Sequence, residues 1–165
     1  MAQRKQASRK TLVADARAAV RVCAGMSVRL AARRITRFLE ERMQGADLSL
    51  AQFGLMTHIA AAGDDTIGAL AARAGLDQST LSRNLRSLER AGLVEIAMVE
   101  QDLRRRAVWL TEAGARCLQA AIPVWRRAHA ALCEVIEPRD IRKLAATTAP
   151  LADVVDGKNS ADRPR

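Results

Sequence analysis

Residues 66–110 constrain this chain more than any other stretch, because the apolar period changes within it and each change is punctuated. Thr66 precedes a short helical pattern with Ile67, Leu70, Ala71 and Ala74 on one face. Gly75 follows where the chain must turn sharply, and glycine alone takes a positive φ there without steric cost. Asp77 is an N-cap residue for a second helix, whose stripe is Leu81, Leu85 and Leu88 with Leu76 just ahead of it, and Gly92 stops it. Two apolar runs, 93–98 and 107–110, then read as strands around a charged loop at 100–106. Two short helices that cross at a small residue (Ala71), turn at a glycine and run into a hairpin describe a helix-turn-helix followed by a wing.

With the leucine stripe buried, Gln78, Ser79, Ser82, Arg83, Arg86 and Arg90 are left on the outer face. That polar and basic set suits a major groove, which presents acceptors on guanine and adenine edges. A solvated helix face is the ordinary fate of an exposed arginine, but here the buried stripe aims Arg83 and Arg86 away from the core. For Gln78, Ser79 and Ser82, capping and solvation compete with base contact. Arg104, Arg105 and Arg106 in the wing are placed for phosphates or a minor groove, Arg106 alternatively only flanking its strand.

The flanking sequence reads as helix. Residues 12–43 form one long pattern through Val13, Ala16, Val20, Cys23, Ala31, Ile35, Phe38 and Leu39, ended by Gly45, with residues 1–11 as a basic flexible arm. Ser49 and Gln52 make a capping box that opens a helix through Leu50, Phe53, Met56 and Ile59. Thr111 caps a long helix through Leu118, Ile122, Trp125, Leu132 and Ile136, with Pro123 predicting a bend. Pro138 opens a last helix through Ile141 and Leu144 to about Val155, and 156–165 is a polar tail. The expected fold is mainly α with a small β-hairpin wing. It forms a single domain over 12–155: a winged helix-turn-helix at about 49–110, with helical segments at 12–44 and 111–155.

Charge sharpens the partner. The chain has 27 Lys and Arg against 18 acids, a net +9 that favours a polyanion. The surplus is uneven: residues 1–42 hold eleven basic and three acidic side chains, whereas 77–106 hold six and five. Specificity therefore depends on which arginines face the groove. No apolar stretch is long enough to span a bilayer or to act as a signal peptide, so a cytoplasmic protein without a membrane partner is expected.

Three scattered cysteines exclude a disulfide scaffold and a CxxC knuckle. Cys117 and Cys133 lie about 24 Å apart along one helix and cannot bridge each other within a chain. The chain lacks HExxH, a paired Cys/His set and a glycine-rich phosphate loop, so no metal, cofactor or catalytic residue is expected. His58 and His129 read as core or interface residues, and the pair Asp64 and Asp65 as helix-start charge.

The order of these motifs resembles the MarR family of winged-helix transcriptional regulators. Thr80, Ser82, Arg83, Leu88, Glu89, Gly92, Leu93 and Val94 match the family's helix portion, Asp102 and Arg104 its wing, and Leu110, Thr111 and Gly114 the exit into the next helix. Leu103 departs from the charged residue usual there, and the tip of the wing carries three acids, Glu95, Glu100 and Asp102, with Asp102 and Arg104 read as a brace. The resemblance implies a homodimer on double-stranded DNA with two winged lobes in successive major grooves of a near-palindromic operator. Gln78, Ser79, Thr80, Ser82, Arg83, Arg86, Arg104 and Arg105 would make the contacts. It further implies a repressor released by a small anionic aromatic effector, held by Arg33 or Arg37 with Phe53, Met56 and His58.

Some relatives sense peroxides through a cysteine in the first helix, close to where Cys23 falls. This chain has no Tyr to donate to such a thiolate, and Arg21 falls on the far side of the helix. Small thiols packed among alanines are the better reading, with thiol sensing as the alternative. A winged-helix interaction module without DNA binding is a further alternative, as is a sequence-indifferent architectural protein driven by the basic N-terminus.

Overall fold

A computed structural model describes residues 2–62, 65–99 and 102–151, with side chains at 11–62, 66–97 and 106–151. Its elements run α1 (Ala2–Val22), α2 (Ala24–Arg42), α3 (Leu50–Ala62), β1 (Asp65–Thr66), α4 (Ile67–Ala74), α5 (Gln78–Arg90), β2 (Val94–Val99), β3 (Asp102–Leu110), α6 (Glu112–Cys133) and α7 (Pro138–Thr148).

Local chemistry sets the boundaries. Ser49 and Gln52 cap α3 reciprocally: the Ser49 amide donates to Gln52 Oε1 at 2.9 Å and the Gln52 amide to Ser49 Oγ at 3.2 Å. Thr66 Oγ1 accepts from the Ala69 amide at 3.3 Å and starts α4. Gly75, at φ 61°, closes α4 in the left-handed conformation and returns its amide to Ala72. Thr111 caps α6 by accepting from the Gly114 amide at 3.0 Å, while its hydroxyl donates to the Gly92 carbonyl at 2.7 Å. That second bond ties the exit of the hairpin to the end of α5.

One core joins these pieces. Leu81, Leu85 and Leu88 of α5 are at most 1% exposed and meet Leu70 of α4 and Val94 and Val108 of the hairpin. Phe53, Leu55, Met56 and Ile59 of α3, Leu118, Ala121 and Ala128 of α6, and Leu39 and Met43 at the end of α2 continue it. The Phe53 ring stacks on Trp125 with centroids 5.6 Å apart, and Trp125 in turn lies 5.0 Å from the half-buried His129.

Several expectations are corrected. The single helix over 12–43 is two helices broken at Cys23 (φ −71°, ψ 103°), where Gly25 and Ser27 follow and the Ser27 hydroxyl donates back to the Cys23 carbonyl at 3.3 Å. Glycine and serine close together are a usual cause of such a break. Helix α1 begins at Ala2, so residues 2–11, expected as a separate arm, continue it. Helix α6 ends at Cys133, short of Ile136, with Pro123 inside it as expected.

Strand β3 begins at Asp102, so most of the expected loop is strand; a run of arginines carries no apolar alternation to reveal this. The sheet has a third strand, β1, in the order β1-β3-β2, with Asp65 opposite Val108 and Thr66 opposite Ala107. Two residues are too few to leave a periodic signal. Asp64, Glu100, Gln101 and the tail at 156–165 lie outside the described residues. Among the described residues, no helix is long and apolar enough to cross a membrane.

Candidate nucleic-acid interface

Helix α5 is polar except for its leucine stripe, so burying that stripe dictates which side faces out. Gln78, Ser79, Arg83, Arg86 and Arg90 are exposed, and Thr80 and Ser82 half-buried. Ser79, Ser82, Arg83, Arg86, Glu89 and Arg90 line a cleft of about 650 Å³ along the helix. A second cleft, of about 500 Å³, lies between α5 and the hairpin, where Ser82, Arg86 and Glu89 face Ile96, Ala97 and the exposed Arg106. Arg86 thus belongs to both.

The start of α5 is held by Asp77. Its Oδ1 accepts the Thr80 amide at 2.8 Å and the Ser79 hydroxyl at 2.6 Å, and its Oδ2 accepts the Thr80 hydroxyl at 2.7 Å. These donors, the Ser79 hydroxyl foremost, hold the carboxyl well below the usual aspartate range. In the sequence Asp77 is legible only as a cap. That the hydroxyls two and three residues on both turn back to it is a geometric fact that residue types alone leave open.

The hairpin pairs antiparallel from Val94 opposite Leu110 to Met98 opposite Arg106, with a bulge between Met98 and Val99. Glu95 sits across from Trp109 near the hairpin base, and Trp109 Nε1 donates to its Oε2 at 3.1 Å. Glu95 is therefore a register-holding residue, not an acid of the wing tip. The side chains of Asp102, Leu103, Arg104 and Arg105 lie outside those described, so the expected brace and phosphate contacts have no geometry to report. Glu89, noted in the sequence only as a motif match, lines both clefts among the arginines.

None of the described clefts is lined by the residues expected around an effector. Met56 is fully buried and Phe53 is 5% exposed, both in the core. Arg37 is exposed and pairs with Glu41 at 2.7 Å; Arg33 is exposed and His58 half-buried. All three cysteines are free and half-buried. Burial and the charge of Asp47 push the Cys117 thiol up, away from its reactive form, and Cys133 Sγ lies 3.4 Å from His129 Nδ1.

Comparison with known proteins agrees with this geometry. A model of the MarR family matches residues 46–105. The transcriptional regulator MosR of M. tuberculosis, solved in complex with DNA, is 30% identical with a TM-score of 0.70, over 83% of this chain and 98% of its own. A mutant MarR from E. coli complexed with operator DNA is 22% identical with a TM-score of 0.68, over 81% of this chain and 96% of its own. BpsR of Bordetella bronchiseptica, whose DNA binding is regulated by 6-hydroxynicotinic acid, is 17% identical with a TM-score of 0.67, over 80% and 94%. No curated protein sequence matches. The helix-turn-helix, its wing and the 30% identity along nearly the whole of MosR lead to one conclusion: the chain belongs to the MarR family of winged-helix transcriptional regulators, not enzymes.

Proposed function

We propose that this protein binds double-stranded DNA as a homodimer and represses transcription by occupying a near-palindromic operator. The observation that carries the reading is the outer face of α5, where Arg83 and Arg86 line one cleft with Ser79 and Ser82, opposite the buried leucines and beside Arg106 of the wing. The DNA complexes of MosR and MarR support it. On this reading the protein works in the cytoplasm, where its DNA partner would be.

Dimerisation is supported by apolar side chains that a single chain leaves uncovered. Leu12, Val13 and Val20 of α1, Met26, Val28 and Leu30 of α2, and Ile141 and Leu144 of α7 are all exposed. Neither α1 nor α7 has a buried side chain among the described residues. Apolar surface on this scale marks an interaction site.

The response is to a small anionic aromatic effector, the chemistry of the compound that regulates BpsR. With Phe53 and Met56 in the core, Arg33, Arg37 and His58 are the surface groups left for it. Such a ligand acts by favouring a dimer whose two α5 helices are wrongly spaced for one turn of DNA, about 34 Å, and so draws population from the binding state.

Footprinting on the region upstream of the protein's own gene tests the reading. A protected palindrome is expected. An unprotected region shows a winged-helix module that has lost DNA binding, and uniform coverage shows a sequence-indifferent binder. Calorimetry with 6-hydroxynicotinate and related aromatic carboxylates tests the effector, and a flat response across the set removes it.

A further inference from the structure

We infer that Ser79 reads an exocyclic amino group in the major groove, selecting adenine or cytosine over guanine or thymine at one position of each half-site. This rests on the DNA-binding reading above and adds to it which bases one residue accepts. Ser79 is exposed and shares its cleft with Arg83 and Arg86, so it is on the surface that would meet DNA.

Proton direction decides what Ser79 offers a base. A serine hydroxyl has one proton and two lone pairs, and an ionised carboxylate only accepts. The 2.6 Å contact between Ser79 Oγ and Asp77 Oδ1 therefore commits the serine's proton inward, in the short range of charge-assisted bonds. Asp77 is in turn anchored by the Thr80 amide at 2.8 Å and the Thr80 hydroxyl at 2.7 Å, which keep the carboxylate in place as acceptor. What Ser79 presents outward is lone pairs.

Phosphate oxygens, guanine O6 and N7, and thymine O4 are acceptors and offer it nothing. The donors in the major groove are adenine N6 and cytosine N4. Each base pair has one such amine, on one strand only, so an acceptor on the protein tells A from T and C from G by strand. Arg83 and Arg86 are donors without acceptor capacity and take the complementary atoms. The cleft is thus polarised, with an acceptor at the first turn of α5 and donors beyond it. The resulting degeneracy, A or C against G or T, differs from the purine-or-pyrimidine pattern expected of a residue that senses base size.

The test is selection and sequencing of a random double-stranded pool bound by the full-length protein, its Ser79→Ala variant and its Asp77→Gly variant. The wild-type motif is expected to hold one position per half-site enriched for A and C. Ser79→Ala, an exposed truncation, flattens that position alone, with a loss of about tenfold or less in relative affinity. Asp77→Gly keeps an accepted N-cap residue while releasing the serine's proton, so G and T gain at the same position. The proposal is overturned if Ser79→Ala leaves every position unchanged, or if the position it flattens favours G or T in the wild type. A wild-type pool with no enriched motif brings down the DNA-binding reading itself, and the base assignment with it.

Discussion

Arg86 lines both clefts of the interface, along the helix and against the wing, and Arg90 Nε donates to its backbone carbonyl at 3.3 Å. Among the described residues its guanidinium has no hydrogen-bond or ion-pair partner. Arg86→Ala is expected to weaken operator binding by about 1–3 kcal/mol while sparing random DNA, if it contacts a base. An equal loss on both, by fluorescence anisotropy, assigns it to a phosphate. Asp77 carries a pH signature. Its carboxyl is held below the ordinary aspartate range in the folded chain, so it stabilises α5 above the unfolded value of about 4. That stabilisation is lost as pH falls through the lowered folded value. The melting-temperature gap between the wild type and Asp77→Leu is expected to be flat near neutrality and to narrow in acid; a gap that does not narrow means the carboxylate is not the stabilising form.

At the scale of elements, the joints between hairpin and helix are tighter than their short motifs suggest. A Cβ on Gly114 would overlap the Leu93 carbonyl, which also accepts from the Thr111 amide at 3.2 Å. The threonine and glycine that begin α6 are therefore one device: the hydroxyl caps the helix and holds Gly92, and the missing side chain lets the hairpin backbone lie against the first turn. Gly114→Ala is expected to destabilise by about 1–3 kcal/mol or more, measured by urea unfolding, whereas a neutral result would mean that α6 slides freely along the hairpin. The caps at Ser49, Thr66, Asp77 and Thr111 were legible in the sequence because each depends on residues within one turn. The break at Cys23 was not, since alanine-rich sequence on both sides reads as continuous helix. Helix α3 hid the roles of its sides for a related reason. It is apolar on every side, so periodicity could not separate a face for ligand from a face for core, and Phe53 and Met56 belong to the core.

At the scale of the molecule, the exposed apolar side chains of α1, α2 and α7 contrast with the polar outer face of α5. On the proposed dimer, Ile141→Asp together with Leu144→Asp places charge in a buried seam. Sedimentation should then show a monomer, with operator affinity falling alongside; a variant that remains dimeric moves the interface off α7. The net +9 that first pointed to a polyanion sits mainly in the first 42 residues, outside α5 and the hairpin. Bulk charge and base recognition are thus separate in this chain.

By itself the sequence determined the helix-turn-helix, its glycine turn and the leucine stripe that turns the arginines outward. These follow from interactions a few residues long, where residue type nearly dictates conformation. Only the tertiary structure decided that β1 joins the sheet, that Glu95 holds Trp109 at the hairpin base, that Arg106 faces Arg86 across a cleft, and that two residues expected to bind a ligand are core. Those outcomes depend on which surfaces meet across the chain, and packing between distant elements leaves no periodic trace in the order of residues.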